Sequence, residues 1–223
     1  MQKNGKLFVI VPAFNEEKVI GKTINLIRKT GVNAEIIVVN DGSTDHTVEI
    51  AKEKGCIVVS LPKNLGKARA FFAGIKEALK RNADAAITID ADTTRIPKTT
   101  MEKLATKALA ATRGNKTKMF VAPFREKFDF AVCSGFTALF YSGVRSFSRQ
   151  ALWSIKSSKL KNVPERSGLE HFQSSYFRNN AIAISAPAVR QAQAFRNGNQ
   201  AAIDQGKDIK VTQYRMRKRG MYR

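Results

Sequence analysis

The stretch LFVIVPAFNEE, residues 7 to 17, joins an uninterrupted apolar run to a polar cluster. An apolar run of this length that ends in a turn is typical of a strand covered on both faces. The following segment, EEKVIGKTINLIRKT (16–30), has apolar residues at helical spacing, with acids first and bases last, as the helix dipole favours. The sequence therefore predicts a buried strand followed by a helix.

The same alternation continues through the first hundred residues. Three more apolar runs predict strands: AEIIVVND (34–41), CIVVSL (56–61) and AAITIDAD (85–92). Helices are predicted between them, over TVEIAKEKG (47–55) and over 67–81. This rhythm favours an α/β fold with a mostly parallel sheet and helices on both faces. The polar clusters PAFNEE, NDGSTD and DADTT each end a strand, so they should meet at the sheet edge where ligands bind.

The second half of the chain is less regular. The patterns predict a helix over 98–111, a strand over 118–124, a helix that starts at the cap Ser148, and a strand that begins at 181. The segment SGLEHFQSSYF is compatible with a helix. The uncharged run 130–144 is too short to span a bilayer. It is interpreted as a core helix, with a lipid-acceptor site at the membrane surface as the alternative.

Charge is the unusual feature of the composition. The 223 residues include 39 Lys and Arg against 18 Asp and Glu, which gives a formal net charge of +21. Such an excess attracts nucleic acid, lipid headgroups and phosphorylated metabolites alike. Basic residues are concentrated at KSSKLK (156–161) and in the tail YRMRKRGMYR (214–223), where a solvated surface is the plain alternative.

Targeting segments and cysteines bear on the expected location of the protein. No signal peptide and no membrane span of about 18 apolar residues is recognisable. Cys56 and Cys133 stand in apolar stretches without metal-ligand spacing, so they are interpreted as buried thiols. The expected location is cytoplasmic, with peripheral membrane contact as an option.

The aspartates of ITIDADTTRIP (87–97) suggest a cation site. In an extended segment Asp90 and Asp92 point to the same face. Two carboxylates at a loop edge suit Mg²⁺ or Mn²⁺, especially when phosphate oxygens supply the other ligands. The alternative is that both aspartates only cap a turn or the next helix.

Two further motifs suit a nucleotide. Asp41 can accept two hydrogen bonds, as a base imide or a ribose hydroxyl requires, or it can form an Asx-turn. Gly66 and Lys67 stand at a predicted helix start, where free N–H groups and an ammonium suit a phosphate. An ordinary loop-to-helix junction is the alternative.

Together the four motifs resemble those of a known family. VIVPAFNEEKVI, IIVVNDGSTDHT, LPKNLGKARAFFAGIKEAL and ITIDADTTRIP are similar, in order and spacing over about residues 6–100, to family 2 glycosyltransferases. The dolichyl-phosphate mannosyltransferase-like branch and bacterial sugar transferases look closest. The resemblance implies one domain over 1–210 with the nucleotide-diphospho-sugar transferase (GT-A type) fold. Its nucleotide-sugar half is 1–97 and its acceptor half is 98–210, and a basic tail covers 211–223.

The resemblance also implies roles for residues of the first half. Pro12, Ala13 and Glu16 would line the nucleotide pocket. Asp41 would hold the base, and Lys67 would lie near the base or the phosphates. Asp90 would face the ribose and the metal, and Asp92 would ligate the metal, which bridges the two phosphates and stabilises the leaving nucleotide.

In the second half the similarity is partial. SGVRSFSRQAL (142–152) resembles the acceptor-side segment, which would place Arg145 and Arg149 beside the acceptor. The lipid-phosphate branch has an aspartate where this chain has Leu139. GLEHFQ (168–173) resembles a segment whose acid can be the general base, so Glu170 is the candidate, with His171 as a substitute. A solvated helical glutamate is the alternative.

The function expected on these grounds is an inverting, metal-dependent glycosyltransferase. It would move a sugar from a UDP- or GDP-linked donor to an acceptor hydroxyl or a polyprenyl phosphate. Two alternatives remain open: a basic nucleic-acid-binding protein, and a catalytically silent partner subunit with the same fold. The aromatics do not interleave with the basic residues as nucleic-acid binding would favour.

Overall fold

The structure is a computed structural model that describes residues 5–122, 124–125, 132–133, 143–157, 177, 180–186 and 189–191. The helices of this part are α1 (Ile20–Lys29), α2 (Thr47–Glu53), α3 (Lys67–Lys80), α4 (Lys98–Arg113) and α5 (Arg149–Ser157). The first strands are β1 (Leu7–Ala13), β2 (Glu35–Asn40), β3 (Ile57–Ser60), β4 (Ala85–Thr88), β5 (Thr93–Arg95) and β6 (Met119–Val121). The later ones are β7 (Phe124–Arg125), β8 (Val132–Cys133), β9 (Arg145–Ser148), β10 (Ala181–Ala183) and β11 (Arg190–Gln191).

Seven of these strands form one sheet in the order β10-β6-β9-β4-β1-β2-β3. β1 is parallel to β2 and to β4, β2 is parallel to β3, and β10 is parallel to β6. Strand β9 is antiparallel to both of its neighbours, β4 and β6. The prediction of a mostly parallel sheet is therefore confirmed, with one reversed strand between the two parallel groups.

The sheet is covered on both faces, as the apolar runs predict. On one face Val9, Val11 and their neighbours pack against α1, α2 and α4. On the other face Phe8 and Ile10 pack against α3 and α5. Because successive side chains of a strand point to opposite faces, the run FVIV supplies both cores at once. This double burial explains why the strand sequences are continuous apolar runs without alternating polar residues.

Several sequence predictions need correction. Helix α1 begins at Ile20, because residues 16–19 form a turn in which the N–H groups of Val19 and Ile20 bond to the carbonyl of Glu16. The run 130–144 is not one helix, since Val132–Cys133 is a strand paired antiparallel with β7. For the other predicted strands and helices among the described residues, each observed bound lies within four residues of the predicted one.

The described residues also bear on the membrane question. Within these segments no helix is long and apolar enough to cross a bilayer. Several expectations fall outside the described part of the chain: the helix at SGLEHFQSSYF, the residues Leu139, Glu170 and His171, and the tail 211–223.

Candidate active site

The polar clusters at the ends of β1, β2 and β4 lie along one edge of the sheet. The parallel ladder pairs Ala13 at the end of β1 with Asn40 at the end of β2. Beyond it, the N–H of Asp41 donates to the carbonyl of Ala13 at 2.9 Å. On the other side of β1, the N–H of Ile89 donates to the carbonyl of Ile10 at 3.0 Å, which sets the DADTT segment beside the same edge. The expected meeting of the three clusters is confirmed.

The loop after β1 is joined to the loop after β2 by side-chain hydrogen bonds. Asn15 donates its backbone N–H to the hydroxyl of Ser43 at 2.9 Å, and its side-chain oxygen accepts the N–H of Thr44 at 2.9 Å. Glu16 donates its N–H to the hydroxyl of Thr47 at 2.8 Å. Asn15 has a φ of 54°, a left-handed conformation that asparagine tolerates better than most residues. The two loops therefore form one rigid unit.

Asp45 closes this unit at the start of α2. Its carboxylate accepts the N–H of Thr47 at 3.0 Å and the N–H of Glu17 at 3.0 Å. Burial raises the pKa of Asp45, but hydrogen bonds from the Thr47 hydroxyl and from these backbone groups outweigh burial, so the net pKa lies below the ordinary value. The contact with Thr47 connects Asp45 to the first residue of α2.

Asp41 connects the end of β2 to the loop before α3. Its carboxylate oxygens accept the N–H of Leu65 at 2.8 Å and the N–H of Gly66 at 2.9 Å. The residue is 3% exposed. The local turn after β2 is held by the neighbouring residue, because Asn40 Oδ1 accepts the N–H of Ser43, three residues later, at 2.8 Å. Asp41 instead fixes the position of the loop that carries Lys67.

Gly42 lets this loop approach the end of β2. Its φ is 78°, and a Cβ built on it would lie 2.5 Å from the carbonyl carbon of Lys63 and 2.6 Å from the nitrogen of Asn64. Both atoms belong to the backbone, so they cannot move aside as a flexible side chain would. The NDG sequence therefore serves the close packing of two loops as well as a turn.

Lys67 and Asp90 form an ion pair across this edge. The Lys67 ammonium lies 2.8 Å from Asp90 Oδ1, and the two side chains are 35% and 18% exposed. Lys67 is the first residue of α3, and Asp90 lies just after β4. Two motifs that are 23 positions apart in sequence thus meet in one contact.

The turn that carries both aspartates is compatible with a divalent cation. Asp90 begins a tight turn in which its carbonyl accepts the N–H of Thr93 at 3.1 Å and the Thr93 hydroxyl at 2.7 Å. The expectation of an extended segment is therefore wrong for 90–93, since these two bonds bend the backbone. Among the described residues no group of three or more His, Cys, Asp or Glu could hold a metal. The donor set nevertheless fits Mg²⁺ or Mn²⁺ by its chemistry, because two carboxylates supply hard oxygen ligands and phosphate oxygens and water can supply the others.

The remaining predicted residues of the first half lie at or beside this edge. Pro12 and Ala13 end β1, with Pro12 half-buried and Ala13 buried. Glu16 and Asp92 are half-buried. Sequence reasoning missed the roles of Asn15 and Thr47, and it missed Phe14, whose ring is 42% exposed next to Ala13. Of these three residues only Asn15 could have been recognised from the sequence, because an asparagine directly after a strand favours a turn with a positive φ.

The two arginines assigned to the acceptor side separate in the structure. Arg145 begins β9, pairs with Thr88 and Val121, and is 1% exposed, with its guanidinium 3.9 Å from the sulfur of Met119. Arg149 lies at the opposite edge of the sheet, where its guanidinium donates to the carbonyl of Ala83 at 2.9 Å. It also lies 3.5 Å from Asp84. The expectation that Arg149 flanks the acceptor is therefore wrong, because β9 runs antiparallel and ends away from the site.

Comparison with known proteins agrees with this geometry. The family model described as glycosyl transferase family 2 matches residues 8–114. An uncharacterized protein of Methanocaldococcus jannaschii is 48% identical over 93 residues, which cover 42% of this chain and 38% of that protein. A 4,4'-diaponeurosporenoate glycosyltransferase of Staphylococcus aureus (strain USA300) is 34% identical over 139 residues, which cover 60% of this chain and 35% of that protein. The chain thus spans 35% to 38% of the length of these two curated relatives.

Solved structures show the same fold. The crystal structure of glucosyl-3-phosphoglycerate synthase from Mycobacterium tuberculosis, in complex with Mn²⁺, UDP-glucose and phosphoglyceric acid, superposes with a TM-score of 0.67 at 17% identity. The match covers 94% of this chain and 78% of that one. TarS 1–349 of S. aureus superposes with a TM-score of 0.62 at 20% identity, covering 84% of this chain and 60% of that one. The match to the glycosyl transferase family 2 model covers residues 8–114, which include the segments that follow β1, β2 and β4 at the polar edge.

Proposed function

We propose that this protein is an inverting, metal-dependent glycosyltransferase that uses a UDP- or GDP-linked sugar. One observation carries the proposal: Asp41, Lys67 and Asp90 are gathered at the carboxyl edge of a parallel sheet by direct contacts. That edge is where α/β sheets bind nucleotides. The match of residues 8–114 to the glycosyl transferase family 2 model supports sugar transfer as the reaction.

The first part of the edge suits the nucleoside. Asp41 uses one lone pair of each carboxylate oxygen for the N–H groups of Leu65 and Gly66, and a carboxylate has about four lone-pair positions. Capacity therefore remains for the N–H of a base or for a ribose hydroxyl. Phe14, which follows Ala13 at the end of β1, is exposed and offers a flat apolar surface that suits stacking against a base. Pro12, Ala13 and Glu16 complete this part of the proposed pocket.

The second part of the edge suits the diphosphate. Lys67 supplies a positive charge at the N-terminus of α3, where the helix dipole also favours anions. Asp90 and Asp92 would hold Mg²⁺ or Mn²⁺, which when bound neutralises charge on the two phosphates of the leaving nucleotide. The glucosyl-3-phosphoglycerate synthase structures, which contain UDP with Mn²⁺ or with Mg²⁺, support both ions as candidates.

The proposed reaction is a single displacement at the anomeric carbon. A bond forms from the acceptor oxygen to that carbon while the bond from the carbon to the β-phosphate oxygen breaks, and the nucleoside diphosphate leaves. A hydroxyl acceptor must also lose its proton, for which we propose Glu170 as the base. A polyprenyl phosphate is already ionised at neutral pH and needs no base. Arg145, whose strand starts beside the end of β4, is the proposed positive charge on the acceptor side.

We also propose peripheral contact with anionic membrane. Helix α5 exposes Trp153, whose side chain is 47% accessible, and the ammonium of Lys156 lies 4.3 Å from its ring centroid. Indole rings favour the membrane interface, and lysines favour anionic headgroups. Such contact would bring the site close to a lipid acceptor.

Nucleotide binding with and without metal tests the proposed function. We would measure thermal unfolding with UDP, GDP, CDP and dTDP, each with Mn²⁺ or with chelator. The expected result is a metal-dependent rise of the unfolding temperature for UDP or GDP, lost in Asp92→Ala. Glu102→Ala is the matched control, because it removes an exposed acid on α4 that makes only a 3.9 Å helical pair with Lys98. If no nucleotide raises the unfolding temperature of the wild-type protein, the donor site does not function. That result would favour the alternative of a catalytically silent partner subunit.

A further inference from the structure

We infer that Lys67 is the counter-ion that a divalent cation must displace from Asp90, so that cation and nucleoside diphosphate bind this site cooperatively. The inference rests on the proposed function and adds to it an order of events. It assigns to Lys67 a positioning role that a phosphate-binding lysine alone would not require.

The first step of the argument is the geometry of the pair. Lys67 Nζ lies 2.8 Å from Asp90 Oδ1, within charge-assisted hydrogen-bond distance. Asp90 is 18% exposed, so water screens this pair less than it screens the exposed pairs at the surface. The same carboxylate is one of the two that fit a divalent cation. A divalent cation on this carboxylate would stand close to the Lys67 ammonium, and because the two positive charges repel each other, ammonium and cation compete for Asp90.

The second step is that the Lys67 backbone cannot withdraw. Its predecessor Gly66 is bonded to Asp41, and Gly66 in turn accepts the N–H groups of Arg69 at 2.9 Å and Ala70 at 3.2 Å through its carbonyl. The main chain is thus fixed on both sides of the helix start. Only the flexible side chain of Lys67 can move. The ammonium can therefore leave Asp90 by rotation about the bonds of its four methylene groups, while the loop keeps its position.

The third step is the fate of the displaced ammonium. If the cation enters alone, Lys67 gives up its 2.8 Å contact with Asp90, and this loss offsets part of the free energy of metal binding. If a diphosphate enters as well, Lys67 gains phosphate oxygens at the N-terminus of α3, a position that favours anions. The diphosphate therefore compensates for the free energy that is lost when the cation separates Lys67 from Asp90. Linkage requires the reverse effect of equal size, so the cation must improve nucleotide binding by the same factor.

Spectroscopic titration of Mn²⁺ tests the inference without an activity assay. Free Mn²⁺ would be measured by electron paramagnetic resonance with wild type and Lys67→Met, alone and with saturating UDP or GDP. We expect the nucleotide to tighten Mn²⁺ binding to wild type by about fivefold or more. Lys67→Met should bind Mn²⁺ alone more tightly than wild type, and the nucleotide should improve its binding less.

Three further variants control for charge and for folding. Lys63→Met removes an exposed lysine four residues earlier in the same loop, and it should bind Mn²⁺ as wild type does. Lys67→Arg keeps the charge and should retain the cooperative behaviour. Lys67→Gln removes the charge as Lys67→Met does and should show the same change in Mn²⁺ binding, so the prediction can be tested on it if Lys67→Met unfolds. Equal Mn²⁺ affinity of wild type and Lys67→Met in the absence of nucleotide would overturn the inference while leaving the proposed function intact. Absence of any Mn²⁺-nucleotide binding to wild type would overturn both.

Discussion

Asp41 accepts the backbone N–H of Gly66 at 2.9 Å, so a carboxylate at the end of β2 determines where α3 begins. The contact joins two positions 25 residues apart, and it lies directly before Lys67. Substitution of Asp41 by Asn tests it. An amide keeps the size but turns an NH₂ toward the N–H of Leu65 or Gly66, so one of the two bonds is lost and the charge is removed.

We expect Asp41→Asn to lower the free energy of unfolding by about 1–3 kcal/mol, because a buried charge-assisted bond is lost. Nucleotide binding should weaken as well, since the loop before Lys67 loosens. Chemical denaturation and calorimetric titration measure the two effects. Glu49→Gln, an exposed acid on α2, makes the same charge change and should alter neither. Unchanged stability of Asp41→Asn would show that the loop holds its position without this carboxylate.

Gly42→Ala and Gly31→Ala form a matched pair of substitutions. The two glycines have φ values of 78° and 71°, but only Gly42 has backbone atoms where a Cβ would go, and Gly31 has nothing within 4 Å. Gly31→Ala should cost about 1 kcal/mol from the left-handed conformation alone. Gly42→Ala should cost a further 1–3 kcal/mol, roughly, from overpacking, and it should weaken nucleotide binding. If both substitutions lower the free energy of unfolding by the same amount, the loops around residues 42 and 63 can move apart at little energetic cost.

The low pKa of Asp45 predicts a pH-dependent stability. A carboxyl group whose folded-state pKa is depressed stabilises the protein above its unfolded pKa, near 3.8, and loses that contribution as pH falls through the lower folded value. Wild type should therefore be more stable than Asp45→Asn near pH 6. The difference should shrink as pH falls below 3.8. Chemical denaturation of both proteins between pH 6 and pH 3 measures this difference in stability. A difference that does not depend on pH would show that it does not arise from the charge of Asp45.

Glu170→Gln distinguishes the two kinds of acceptor. If a hydroxyl accepts the sugar, loss of the base should lower kcat by about 10²–10⁴-fold while donor binding stays unchanged. If a phosphate accepts it, kcat should change little. Steady-state transfer to a hydroxyl acceptor and to a polyprenyl phosphate separates these outcomes. A loss of donor binding would instead assign Glu170 to the nucleotide pocket.

Trp153 is the single tryptophan of the chain, so its fluorescence reports on α5 alone. Vesicles that contain anionic lipid should shift its emission to shorter wavelength, and brominated acyl chains should quench it, because the ring enters the interface. Vesicles of neutral lipid should have little effect. Binding without any change in emission would show that the general basic charge attracts the membrane and that α5 does not insert.

The sequence was sufficient for the parallel half of the fold and for the position of the site. Continuous apolar runs predict strands with two buried faces, and polar clusters at their ends must then share an edge, as Ala13, Asp41 and Asp90 do. Contacts between loops were not predictable. The bonds of Asn15 and Thr47 depend on how two turns face each other, and no local pattern encodes that.

The reversed strand explains the main error about side-chain placement. Arg145 and Arg149 are four residues apart and were assigned to one side of the site. Because β9 is antiparallel to β4, its length carries Arg149 to the amino-terminal edge, where it binds the carbonyl of Ala83. Strand direction is decided by pairing across the sheet, which the short polar sequence of β9, RSFS, does not reveal. The same limit applies to the Asp90 turn, which depends on the Thr93 hydroxyl.

The reversal of β9 also separates two lengths of chain by what they contribute to the polar edge. The contacts Asp41–Gly66 and Lys67–Asp90 are made by residues between β2 and the turn after β4, and β9 adds only its first residue beside that edge. A change in the segments beyond β6 therefore leaves both contacts in place.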